Sequence, residues 1–328
     1  MRQPIILLSA LFLLSLFSFV FAFSVGSIVF SLPQMSEALF AHHTSIAQTI
    51  IWELRAPRAY IAFVTGGLLS LAGVLMQVLL RNPLADPYIL GVSGGASVAA
   101  LLAMSAGLAG VWVSGSAFGG ALLSILLVFG LAHGQGHWNP TRLLLTGVVI
   151  AAGWGAAINF ILSTSPDEPL RSMLFWLMGD ISNITPNVSG LLALILGLLI
   201  SFALARKLNI LSHGELQAGA LGVAVNPLRI SLFLLASALT AFAVTQAGSV
   251  GFVGLIVPHM IRLISGSDHR ILIPAAVLLG GSLLVISDTL ARIIIAPQQL
   301  PVGVITAFLG VPFFLFLLNR SMAGKQHD

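Results

Sequence analysis

A charged side chain inside an apolar run is the first place to look for chemistry, because a charge in hydrocarbon is costly unless it is paired. Asp288 is the clear case, lying in the apolar run 272–293 with Arg292 four residues on, a spacing that puts both on one helix face. It is either a self-neutralised pair near the end of a span or a group coupled to ion movement. Proton-coupled carriers commonly use chains of acidic or histidine residues at the midplane, for which one carboxylate near a span's end is a poor substitute. His133 and His137 share the same spacing, but Gly134, Gly136 and Pro140 predict a loop there, which disfavours a metal site; His42-His43 is the other close pair. No HExxH, GxSxG or GxxxxGK[ST] occurs, and Gly324-Lys325 runs on into Gln326 and a polar tail. The chain therefore has no recognisable nucleotide site of its own. With no cysteine, disulfides, thiolate metal sites and cysteine nucleophiles are excluded together.

The elements that must hold these residues follow from composition. Of 328 residues, 58% are hydrophobic and 7% charged, where a soluble domain has about a quarter charged. Mean hydropathy is +1.05. A span needs about 20 apolar residues, so the chain has material for roughly nine or ten. Apolar runs predict spans near 5–30, 58–80, 88–108, 115–132, 141–162, 188–206, 229–247, 251–265, 272–293 and 302–319, the eighth being short. Long unbroken runs exclude a transmembrane β-barrel, whose strands alternate. Arg2 and the Ala22-Phe23-Ser24 stretch give the first run some likeness to a secretion signal, but it is longer than a signal's apolar region and no soluble domain follows it. The longest polar segments, 31–57, 163–187 and 207–228, are too small to fold alone, so residues 1–328 form a single all-α polytopic domain. Small residues at four-residue spacing (Gly91/Gly95, Gly115/Gly119, Gly147/Ala151/Gly155) predict close helix packing.

Charge then orients the chain. There are 14 Lys and Arg and 10 Asp and Glu, with no basic cluster beyond Arg206-Lys207, so nucleic acid is not an expected partner. With the N-terminus inside, ten of the 14 basic residues fall on the inner face, and only Arg55, Arg58, Arg171 and Arg292 fall outside. Both termini are then expected in the cytoplasm. Arg171 has Asp167 and Glu168 as nearby partners. Residues 211–223, LSHGELQAGALGV, are too short to span, and with Gly222 and Asn226-Pro227 closing them they read as an interfacial helix. Such a helix could dock into a groove on a soluble partner, or simply connect two spans.

Five stretches carry a family resemblance. They are RAPRAYIAFVTGGLLSLAGVLMQVLLRNPLADPYILGVSGGA (55–96), HGELQAGALGV (213–223), GFVGLIVPHMIRL (251–263), SDTLAR (287–292) and LPVGVITAFLGVPFFLFLL (300–318). In this order they resemble the FecCD-type permease subunits of type II ABC importers, which take up iron–siderophores, haem and vitamin B12. The resemblance implies ten spans in the type II permease fold, in a bacterial cytoplasmic membrane. It also implies a dimer, expected to be a homodimer, two cytoplasmic ATPase subunits holding ATP and Mg, and an extracytoplasmic substrate-binding protein. This chain would itself bind no cofactor and perform no bond chemistry. The stretch at about 211–226 would be the coupling helix, with Glu215, Gly219, Ala220, Leu221 and Gly222 against the ATPase. Arg55, Arg58 and Arg292 match positions that pair with acidic side chains of the binding protein, a task suited to the planar guanidinium fork. The pathway would run along the dimer axis, lined mainly by the fifth and tenth spans and their flanking loops, with Asn159, Ser163 and Thr164 toward its outer end. Asn139, Pro140 and Thr141 match the loop forming a cytoplasmic gate, and Pro140 stands where other members can carry a small polar residue. The expected cargo is an Fe(III)-siderophore, then cobalamin, then haem. The rival readings are a cation-coupled secondary transporter and a membrane-embedded enzyme or assembly factor.

Overall fold

In a computed structural model of the protein, residues 2–26, 28–40, 46–132, 140–182 and 188–324 are described. Each of the ten apolar runs forms a helix, as it must where water cannot satisfy the backbone. In chain order these are α1 (Arg2–Ser24), α4 (Ala56–Leu79), α5 (Val92–Ser105), α6 (Val111–Ala132), α7 (Pro140–Thr164), α9 (Val188–Ser212), α11 (Val225–Ala247), α12 (Val253–Ser265), α13 (His269–Ile293) and α14 (Val302–Gly324). Between them lie the short α2 (Leu32–Phe40), α3 (Ile46–Thr49), α8 (Asp167–Leu177) and α10 (Glu215–Ala220). A π-helical turn, Ile50–Arg55, joins α3 to α4. No strand occurs among the described residues.

α4 is the axis of the bundle. Every residue from Val64 to Leu79 is buried, against α13, α11, α12 and α9. Backbones meet directly at two crossings: a Cβ on Gly66 would stand 2.2 Å from the Gly280 carbonyl oxygen, and one on Gly73 would stand 1.9 Å from that of Gly254. Only glycine permits this approach, which maximises dispersion contact where lipid provides no hydrophobic drive. Of the small-residue pairs expected from spacing, Gly95 meets Gly120 of α6 and Gly147 meets the Ile89 carbonyl, whereas Gly115, Gly119 and Gly155 face open space. α1 packs along α13, where the Ser15 and Ser282 hydroxyls lie 2.9 Å apart, so the first run is part of the bundle.

Two predicted spans start later than their apolar runs. α5 has 14 residues and α12 has 13, each preceded by a left-handed residue, Gly91 (φ 70) and Phe252 (φ 71). The two breaks face each other: the Val250 N–H donates to the Tyr88 hydroxyl at 3.1 Å, and Ser93 and Ser249 share a hydrogen bond of 2.9 Å. Gly254 lies against Pro87 and the Leu69 carbonyl, partway along α4, so the broken backbone is enclosed by protein. Irregular backbone at membrane depth is tolerated only under such cover. Among the described residues, seven helices are long and apolar enough to cross a bilayer, and α5, α12 and residues 302–316 of α14 are shorter apolar helices.

Candidate functional site

At one end of the bundle, α10 projects from the turn between α9 and α11. Gly214 (φ 127) precedes it, and Gly222 (φ 78) ends it by donating its N–H to Gly219 while the Val223 N–H reaches back to Ala218. That 5→2 and 6→1 pair is a Schellman closure. Ala218 is fully buried and anchors the helix, while Leu216 and Leu221 are 92% and 69% exposed. Gly219, Ala220 and Gly222 are also exposed. Glu215 behaves differently: its carboxylate pairs with Arg229 of α11 and lies 3.5 Å from Arg81, just beyond α4. It is tied to the bundle while 39% of its side chain stays exposed, so the α10 surface comprises Glu215 together with Leu216, which the expected set omitted.

The same end is cross-tied elsewhere. Arg262 of α12 donates to the Gln77 side-chain oxygen at 2.9 Å. The Asn209 amide of α9 donates to Asp268, which caps α13 through the Arg270 N–H. Those two bonds, the Asn209 one first, hold the Asp268 carboxyl below the usual carboxylate range.

At the opposite end, three of the four arginines expected outside are turned inward. Arg58 holds Asp288 with its Nε 2.9 Å from both carboxylate oxygens, and also donates to the Gln299 side chain at 2.7 Å. Arg292 is a secondary partner at 3.4 Å, with its other donor on Thr289. The expected i,i+4 pair exists, but the principal partner of Asp288 lies on α4. Arg55 donates to the Phe23 and Ile28 carbonyls, lies over the Phe30 ring and is 4% exposed. None of the three offers a free fork to solvent, a difference from the surface arginines the resemblance implies. Arg171, by contrast, forms no ion pair with Asp167 or Glu168 among the described residues. It lies over the Phe175 ring and lines an open basin of about 1460 Å³ with Glu168, Asp180, Gln246 and Gln298.

α7 is the least enclosed of the long helices. Thr141, Leu145, Val149, Ala152, Ala156, Asn159 and Ser163 are all exposed and recur at helical spacing along one face. Ser163 and Thr164 turn their hydroxyls back onto the Phe160 carbonyl. Asn139, His133, His137, His42 and His43 lie outside the described residues, as does the side chain of Pro140, which begins α7.

A family model for the FecCD transport family matches residues 12–320. The chain belongs to the FecCD transport family. It is 41% identical to the cobalamin import system permease protein BtuC of Halobacterium salinarum, over 83% of this chain and 74% of that one. It is 39% identical to the hemin transport system permease protein HmuU of Yersinia pestis, over 97% and 96%. Among solved structures it resembles an ABC transporter assigned to the metal-chelate type and captured facing inward, with a TM-score of 0.85, 31% identity, and coverage of 95% and 98%. Within this FecCD chain, sequence reasoning placed Leu216 in the short helix without naming it as a contact, and it missed Arg81 and Arg229 as partners of Glu215. The two arginines appeared only as inner-face charges, since nothing in a linear sequence shows that both reach the same carboxylate. α8 was missed as well, because 11 residues with an internal polar face leave no apolar run.

Proposed function

We propose that this FecCD-family chain is the permease subunit of an ATP-driven importer that moves a metal chelate inward by alternating access. The observation that carries this is α10, a short helix held by one buried alanine and showing Leu216 and Leu221 to solvent in a chain with no nucleotide motif. An apolar knob of this kind fits a groove on a soluble ATPase subunit, and a docked helix transmits rigid-body displacement. On this reading the α10 end and both termini are cytoplasmic, in agreement with the ten-to-four bias of basic residues. A second copy of the chain covers the exposed face of α7, which with α14 then lines the pathway. Its small side chains, Ala152 and Ala156 among them, suit a bulky chelate that must pass without being held.

The opposite end receives a substrate-binding protein. Arg55, Arg58 and Arg292 belong to that end, and because Arg58 and Arg292 are already engaged with Asp288, a docking carboxylate there must compete for them. ATP and Mg belong to the partner ATPase. The relatives named above are described as handling cobalamin and hemin, and the cargo here is placed in the same class of metal chelates, ferric siderophores included.

Reconstitution tests the reading. Uptake of cobalamin, haem or ferric siderophore into proteoliposomes is expected only when ATPase, binding protein and ATP are all supplied. Uptake driven by an ion gradient alone would overturn it in favour of a secondary transporter.

A further inference from the structure

Three elements converge on the single carboxylate of Glu215. It opens α10, pairs with Arg229 of α11, which is 3% exposed, and lies within 3.5 Å of Arg81 at the end of α4. Arg81 occupies an unusual place for an arginine. Its φ is 50°, its N–H donates to the Val78 carbonyl and the Asn82 N–H to that of Gln77, so α4 ends in a Schellman closure with Arg81 at the left-handed position. Glycine is the ordinary occupant there, and an L side chain costs roughly 1 kcal/mol. α10 itself uses Gly222 at its equivalent position. The chain thus has glycine where only backbone is required, and accepts a strained arginine where a side chain can reach the next element. One turn back along α4, Gln77 accepts from Arg262 and donates to the Leu255 carbonyl, so the same end of α4 is also bonded to α12.

We propose that Glu215 is a positioning residue that fastens α10 to α11 and α4 through Arg229 and Arg81, so that displacement of α10 moves those helices, while the ATPase contact is made by Leu216, Gly219, Ala220 and Leu221. This rests on α10 being the helix that docks on the ATPase. A carboxylate held by two cations on two helices resists sliding in two directions, which one hydrophobic anchor at Ala218 cannot do. Glu215 therefore determines how much of the ATPase movement reaches the bundle, and the apolar knob determines whether the ATPase is bound.

The test uses the full reconstituted transporter with cobalamin, haem and ferric citrate as trial cargoes, and measures ATPase affinity for the permease and ATP hydrolysed per chelate moved. Arg81→Gly is expected to keep the affinity and raise ATP consumed per chelate about threefold, the scale of an exposed ion pair. Arg81→Lys is expected to restore the ratio, and Leu221→Asp to lose ATPase affinity. A helix-ending role alone predicts the reverse order at position 81, since glycine relaxes the backbone and lysine does not. An unchanged ratio in Arg81→Gly, or a loss of affinity matching Leu221→Asp, would overturn the proposal. A wild-type chain that binds no ATPase would instead overturn the coupling reading of α10, and the proposal with it.

Discussion

Asp288 is 1% exposed and lies between two guanidinium groups, so its removal is not the loss of a single ion pair. Replacing it by asparagine leaves Arg58 and Arg292 enclosed without a carboxylate, and breaking a buried pair in this way costs about 3 to 5 kcal/mol. Thermal unfolding in detergent is expected to show that loss for Asp288→Asn, and a smaller one for Arg292→Ala, which removes the more distant partner. Equal losses would make Arg292 as important as Arg58. The i,i+4 neighbour was visible in the sequence because helical spacing is local. Arg58 was not, because it stands 230 positions away and reaches Asp288 only once α4 packs on α13. Glu215 shows the same limit, since its type and position were legible while its orientation was decided by Arg229 and Arg81.

At the scale of elements, the crossings of α4 are made by backbone. A side chain at Gly73 would have to push α12 away by its main chain, which cannot rotate aside as a flexible side chain can. Gly73→Val is expected to destabilise by about 1 to 3 kcal/mol, the range for overpacking. Gly115→Val, at a position facing open space, is the control and is expected to be nearly neutral by the same unfolding measurement. Similar effects at both sites would argue against tight packing at the crossing. The ten helices were readable from hydropathy alone, because a bilayer forces every long apolar run into internal hydrogen bonding. The shortness of α12 was readable too, but the late start of α5 was not, since the Tyr88 hydroxyl accepts the Val250 N–H and the Ser93 and Ser249 hydroxyls bond each other between distant segments.

For the whole molecule, the uneven enclosure of the helices bears on the proposed dimer, since a second copy would cover the barest of them. α4 is covered on every side, and α7 is nearly bare. Because the chain has no cysteine, a single introduced thiol reports unambiguously on proximity. Ala156→Cys on the exposed face of α7 is expected to give an oxidative crosslink between protomers, whereas Leu126→Cys, 68% exposed on α6, is expected to give none. The opposite pattern would move the dimer interface to α6. The bare face of α7 also bears on the protomer before assembly. On the dimer reading, a protomer without its partner turns the Asn159 amide toward lipid, where no water can satisfy it, while the Ser163 hydroxyl is already bonded to the Phe160 carbonyl. That one unsatisfied amide would then favour pairing over the lone protomer.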